Sequence, residues 1–270
     1  EYSDFEKVNV FGTQNVAEFA VEFNRPLFYI SSMGISGKHF VDPKYEAAEF
    51  TENDLYIGQD IFQNIYVRSK FEAERVLNRY KSMGLKAAVF RIGNLTGRYL
   101  DGHFQKNIEE NSFYNIIRSL IQIGAVSNNV IDAEFEFTPV DLCSEAIVKL
   151  LMIKEAVGKT FHLYNCNILK VADLLELFSQ IGISINSLDK YFFKELISEI
   201  ASSRTENTRI RGIINNLDGE NQLYFGENTK VSSEITNKYL ERLGFQWPEV
   251  DSDYLRKAID YMEKVKYLER

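Results

Sequence analysis

Gly84-Leu85-Lys86-Ala87-Ala88-Val89-Phe90-Arg91-Ile92-Gly93-Asn94 decides the fold. Gly84 closes a helical pattern over residues 66–83, and a glycine just past the last periodic residue is a common helix end. The apolar run at 87–92 then reads as a strand that ends in the turn pair Gly93-Asn94. The run is continuous rather than alternating, as expected of a strand covered on both faces.

The same alternation extends outward. Residues 4–23 carry Phe5, Val8, Phe11, Val16, Phe19 and Ala20 at helical spacing. Leu27-Phe28-Tyr29-Ile30, after Pro26, reads as a buried strand, and residues 31–37 as the loop at its end. Residues 38–62 read as irregular and exposed. On the other side, a helix is predicted over 112–123, stopped by Gly124. A strand follows at 135–139, then a helix over 141–152 with Asp141 as its N-cap, and a strand at 160–164. Beyond residue 165 the pattern is mostly helical, over 171–181, 190–201, 232–243 and 254–267. Alternating strands and helices predict an α/β fold with a parallel sheet. Ligands of such sheets sit outside the carboxyl ends of the strands. Three places lie there: Ser31-Ser32, residues 91–94 and residues 138–141.

The chain has 270 residues, which suits one large α/β domain or two smaller ones. Hydrophobic residues make up 45% and charged residues 26%, so a disordered or low-complexity chain is excluded. The net charge of −8 argues against a general nucleic-acid binder. No apolar run approaches the roughly 20 residues that span a bilayer, so no membrane partner is expected. The two cysteines, Cys143 and Cys166, make no disulfide framework and fit a reducing cytoplasm. His39, His103 and His162 have no carboxylate or cysteine at metal-ligand spacing, so no metal site is expected.

Tyr66-Val67-Arg68-Ser69-Lys70 sets a tyrosine and a lysine four apart, on one helix face. An ammonium near a phenol favours the phenolate and makes the tyrosine a usable proton donor near neutral pH. In a chain with 15 tyrosines such a pair also arises by composition, so it weighs little alone. Its setting adds weight. A strand ending in Ser31-Ser32 precedes it, and one ending before Gly93-Asn94 follows it.

Asn9-Val10-Phe11-Gly12-Thr13-Gln14-Asn15, residues 28–37 and the Tyr66…Lys70 pair resemble the helix motif, the active-site strand and the YxxxK of extended short-chain dehydrogenase/reductases. Residues 2–10, Phe50-Thr51-Glu52-Asn53-Asp54, residues 90–98 and Phe137-Thr138-Pro139-Val140-Asp141 narrow the likeness. They are similar to the thioester reductase domains that terminate nonribosomal peptide synthetases, and the similarity covers about residues 1–165. It implies a Rossmann-like sheet with helices on both faces over 1–165 and a mostly helical subdomain for substrate or carrier over 166–270. It also implies NADPH as hydride donor to a peptidyl or aminoacyl thioester on a carrier protein's phosphopantetheine arm, with the rest of the synthetase as partner. The product would be an aldehyde, or an alcohol after a second hydride. Ser32 and Tyr66 would bind the oxyanion, and Tyr66 would supply the proton. Lys70 would hold the nicotinamide ribose, Asn9 would support Lys70, and Gly93, Asn94 and Leu95 would line the nicotinamide site.

Relatives bind the pyrophosphate with a glycine-rich turn after their first strand. None of the 15 glycines here forms a GxGxxG. The expectation is therefore that the first βαβ units lie ahead of Glu1. Two other readings stand beside the reductase: a carrier-docking or scaffolding module that kept the fold, and a nucleotide-sugar epimerase or dehydratase. Arg204, Arg209 and Arg211 form a candidate basic patch for carrier docking, with a solvated loop as the plainer reading.

Overall fold

The computed structural model describes residues 1–37, 49–62, 64–203, 207–225 and 229–269. His39, Arg204 and most of the stretch expected to be irregular, at 38–48, lie outside them. In chain order the main elements are α1 (Tyr2–Phe5), a π-helical segment (Glu6–Phe11), α2 (Gly12–Glu22), β1 (Leu27–Ser32), α3 (Ile65–Ser82), β2 (Ala87–Ile92), β3 (Leu95–Thr96), α4 (Ser112–Ile123), β4 (Ala125–Ser127), β5 (Glu134–Phe135), β6 (Thr138–Pro139) and α5 (Val140–Leu151). They continue with β7 (Thr160–Leu163), β8 (Leu169–Lys170), α6 (Val171–Gln180), β9 (Asn186–Leu188), α7 (Lys190–Ser202), α8 (Glu234–Arg242) and α9 (Ser252–Lys264).

Contacts divide the chain into two units. The first takes Glu1–Gly93, Cys143–Tyr164 and Gly226–Gln246; the second takes Asn94–Leu142, Asn165–Phe225 and Trp247–Arg270. They are not consecutive stretches. One crossing falls at 164/165, beside the expected 165/166 boundary, but residues 94–142 belong to the second unit and 226–246 to the first.

The first unit holds a parallel sheet in the order β1-β2-β7. Leu27 pairs with Ala87, Ser32 with Ile92, and Ile92 with Leu163. All six residues of the central β2 are buried. Helices α2 and α3 pack Ala17 and Leu77 onto Ala87 and Val89, with Leu27 and Tyr29 of β1 against the same cluster. Burying one such leucine contributes about 1.5–3 kcal/mol. The strand expected to be wholly buried at 27–30 differs here. Among the described residues β1 pairs with β2 alone, and Phe28 and Ile30 alternate to its other face at 37% and 49% exposure. The predicted helix at 4–23 is also not uniform: within the π segment the Gly12 N–H donates to the Lys7 carbonyl, five residues back.

The second unit builds its core from α4, α6, α7 and α9, with Phe113, Leu120, Phe178, Ile197 and Met262 buried together. Short pairs brace it: β3 with β6 and β4 with β9, both parallel, and β5 with β8, antiparallel. Gly124 ends α4 in the left-handed conformation, φ +71°, as its sequence position predicts. The strand expected over 135–139 is instead split into β5 and β6 around Glu136 and Phe137. Asp141 is not an N-cap. It lies inside the first turn of α5, and its carboxylate accepts the Tyr99 N–H at 2.9 Å, from a distant loop.

Gly102 sits at φ +71°, and a Cβ there would stand 2.2 Å from the Lys257 carbonyl oxygen. Gly102→Ala combines strain with a backbone clash. We expect it to cost about 2 kcal/mol or more in urea unfolding; an unchanged midpoint would refute the close approach.

Candidate active site

Of the candidate residues of the first unit, Ser32 and Lys70 meet the carboxyl end of β1. Ser32 is the last residue of that strand. Its Oγ accepts the Gly34 N–H at 3.1 Å and caps a short 3-10 turn. This use of a lone pair leaves its O–H to donate elsewhere. A Cβ on Gly34 would lie 3.3 Å from Ser32 Oγ and 3.5 Å from Val67 Cγ2, so the loop lies tightly against the first turn of α3.

Asn64 starts α3. Its Oδ1 accepts the Tyr66 N–H at 2.9 Å and the Val67 N–H at 3.2 Å, a side-chain N-cap that fixes where the tyrosine emerges. An asparagine just ahead of a helical run is the local sequence signal for such a cap. Tyr66 is 40% exposed, and its ring meets Phe5 edge-on at 6.5 Å. One turn later Lys70 reaches back across the end of β1. Its Nζ donates to the Ile30 carbonyl at 3.2 Å and stands 6.0 Å from the Tyr66 ring centre. An ammonium has three N–H donors, so two remain for a ligand. Burial holds Lys70 below the usual lysine range, and Glu74 opposes the shift.

Asn9 lies in the π segment. Its Nδ2 donates to Ser69 Oγ at 2.8 Å, and Ser69 donates to the Tyr66 carbonyl at 2.8 Å. Asn9 is thus tied to the backbone of the tyrosine's own turn, through a serine that sequence reading missed. Ser69 is fully buried between Tyr66 and Lys70 in sequence.

At the end of β2, Arg91 is held by buried partners. Arg91 is 2% exposed, bonded to Glu74 through Nε and Nη2 and to the Asp54 carbonyl at 2.7 Å. Its Nη1 lies 3.0 Å from His162 Nε2. His162 Nδ1 is 2.6 Å from the Ser232 carbonyl, which can only accept. The proton therefore sits on Nδ1, and Nε2 accepts from Arg91. Burial, then the Arg91 charge, push the imidazole down to about 3. Phe50 stacks on this ring at 5.6 Å. Glu52, from the same motif, accepts the Thr236 N–H at 2.8 Å in the first turn of α8, where a negative charge favours the helix dipole. The 50–54 motif is therefore a structural brace of the first unit.

Gly93, with its N–H on the Leu163 carbonyl at 3.0 Å, closes the first unit, and Asn94 and Leu95 open the second. The Asn94 N–H donates to Glu136 Oε2 at 2.6 Å, and Leu95 pairs with Thr138. Arg209 is no free docking cation: its guanidinium donates to the Gln122 carbonyl, from Nε at 2.9 Å, at the end of α4. Among the described residues no group of acidic, histidine or cysteine side chains could hold a metal, and no helix is long and apolar enough to cross a membrane.

Residues 1–147 match the NAD-binding family described as Male sterility protein; that is over half of the chain, which belongs to this family. The chain is 24% identical to a linear gramicidin synthase polypeptide of Brevibacillus parabrevis over 99% of its length, and spans 5% of that protein. A thiolation-reductase di-domain from an archaeal non-ribosomal peptide synthetase superimposes with a TM-score of 0.83 at 31% identity, over 97% of this chain and 54% of that one. The reductase domain of the aureusimine biosynthetic cluster gives a TM-score of 0.77 at 26% identity, over 97% of this chain and 66% of that one. The chain is thus a relative of synthetase reductase domains in the extended short-chain dehydrogenase/reductase superfamily, and spans only part of the length of these relatives.

Proposed function

We propose that this chain carries the catalytic residues of an NADPH-dependent reductase that releases a carrier-bound peptidyl or aminoacyl thioester as an aldehyde. The observation that carries this reading is that Ser32 ends β1, Lys70 Nζ donates to the Ile30 carbonyl of that strand, and the Tyr66 ring centre stands 6.0 Å from the same Nζ. A strand end is where ligands of parallel sheets bind. The likeness to synthetase reductase domains supplies the substrate class.

The residues present fit the nicotinamide ribose end of such a cofactor. Lys70 has two N–H donors beyond its bond to Ile30, and Tyr66 is open to solvent beside it. Gly93, Asn94 and Leu95 stand as nicotinamide-lining residues on the resemblance. NADPH, when bound, supplies hydride to a carbonyl carbon. Ser32 and Tyr66 donate hydrogen bonds to the carbonyl oxygen as negative charge grows there; one such donor is typically worth about 10²–10³ in rate. Tyr66 then gives its proton to that oxygen, and Lys70 stabilises the phenolate left behind. The hemithioacetal loses its C–S bond, and the carrier thiol and the aldehyde part. Asn9 and Ser69 hold the turn from which Tyr66 projects.

The test uses the full-length protein with an acyl thioester on its phosphopantetheinylated carrier. We expect NADPH consumption matched by aldehyde and free thiol. NADPH left unconsumed by a fully loaded carrier would overturn the reading.

A further inference from the structure

We propose that Glu136 is a positioning residue that sets the backbone of the turn carrying Asn94 and Leu95, and through it the affinity for the nicotinamide cofactor. The inference rests on the proposed function for the identity of the ligand, and on the second unit's geometry for the clamp itself.

Glu136 interrupts an apolar stretch, between the buried Phe135 and Phe137. A strand there would be served better by an apolar residue, since enclosing a carboxyl without partners is costly. Its partners say what it does. Oε2 accepts the Asn94 N–H at 2.6 Å, short for a neutral amide bond and in keeping with a charged acceptor. Oε1 accepts the Thr138 hydroxyl. Thr138 in turn donates its N–H to the Asn94 carbonyl at 3.0 Å. Both backbone polar groups of Asn94 are therefore held from one three-residue segment.

The anchor is itself fixed. Thr138 and Asn165 are fully buried, and the Asn165 N–H donates to Thr138 Oγ at 2.9 Å. Asn165 Nδ2 donates to the Pro248 carbonyl at 3.0 Å. From this anchor Leu95 enters β3 opposite Thr138. A change at Glu136 frees the Asn94 amide and lets the turn shift while β3 stays paired. This also explains the break between β5 and β6: the carboxyl is spent on the turn and the strand leaves its ladder. Glu136 as a whole is half-buried, and desolvation of its carboxyl pushes it up to about 7, so the charged acceptor is the form present above that pH and the variants are compared at about pH 8.

The experiment compares the full-length protein with Glu136→Gln and Glu136→Leu. The probes are the Asn94 amide resonance in ¹⁵N-labelled protein and NADPH binding by calorimetry. In the wild type the Asn94 amide proton is expected far downfield and slow to exchange. Glu136→Gln should move it upfield and weaken NADPH binding by about tenfold, with a nearly unchanged Tm, since a bond to a charged acceptor is exchanged for a neutral one. Glu136→Leu should weaken binding further; if it does not fold, the glutamine variant decides. An altered Asn94 resonance with unchanged NADPH affinity overturns the positioning role. An unaltered resonance overturns the clamp whatever the cofactor does. A wild type that shows the downfield amide but binds no NADPH defeats the proposed function, and the cofactor role of Glu136 with it.

Discussion

Tyr66→Phe in the full-length protein is expected to lower thioester-dependent NADPH oxidation by about 10²–10⁴-fold, the usual worth of a positioned proton donor. The variant removes one oxygen and nothing else. The ring keeps its edge-on contact with Phe5, and the backbone caps of α3 on Asn64 do not involve the hydroxyl. NADPH affinity should change far less than turnover, because the two spare N–H donors on Lys70 remain. Product analysis and NADPH titration on the same preparation separate the two effects. Turnover within threefold of wild type would remove Tyr66 from the chemistry. Equal losses in affinity and rate would make it a binding residue instead.

The second large effect is on stability. Glu74→Ala leaves Arg91 buried at 2% exposure with its carboxylate partner gone. Breaking a buried pair on one side costs about 3–5 kcal/mol, because the surviving charge stays desolvated. Replacing both, with Arg91→Met and Glu74→Leu, should cost much less. Urea unfolding of the two variants checks the contrast; equal losses would show that the pair adds no electrostatic coupling. His162 adds a pH dependence of known sign. Its folded value, about 3, lies below the unfolded value of 6.5, so the unfolded chain binds the extra proton. Its contribution is complete above pH 6.5 and is lost as pH falls toward 3. The slope is about 1.4 kcal/mol per pH unit for one proton. His162→Phe should flatten this acid limb without abolishing folding.

What could be read from the sequence follows a physical line. Helix ends carry their own punctuation, so α3 stopped by Gly84 and α4 by Gly124 were predicted to within a residue. The parallel pairing of β1 with β2 followed from apolar runs flanking a helix. The placing of Tyr66 and Lys70 one turn apart on α3 followed from helix spacing. The misses are long-range or mixed. Glu52 meets α8 at a separation of 184 residues, and no local pattern announces it. Arg91 looked like a residue at a strand end, and only the fold shows Glu74 and His162 waiting for it inside. Asp141 had the composition of a cap but serves another segment's amides. The π turn at Asn9 costs no change of residue type and is silent in apolar spacing.

The chain passes between its two contact units at 93/94, 142/143, 164/165, 225/226 and 246/247. During synthesis this order has a cost in timing. The first unit receives its last segment only when Gln246 leaves the ribosome, and the second waits for its closing helix until after that. Neither unit can complete its core before residue 246 has been made. A cut anywhere between residues 94 and 246 severs both units at once.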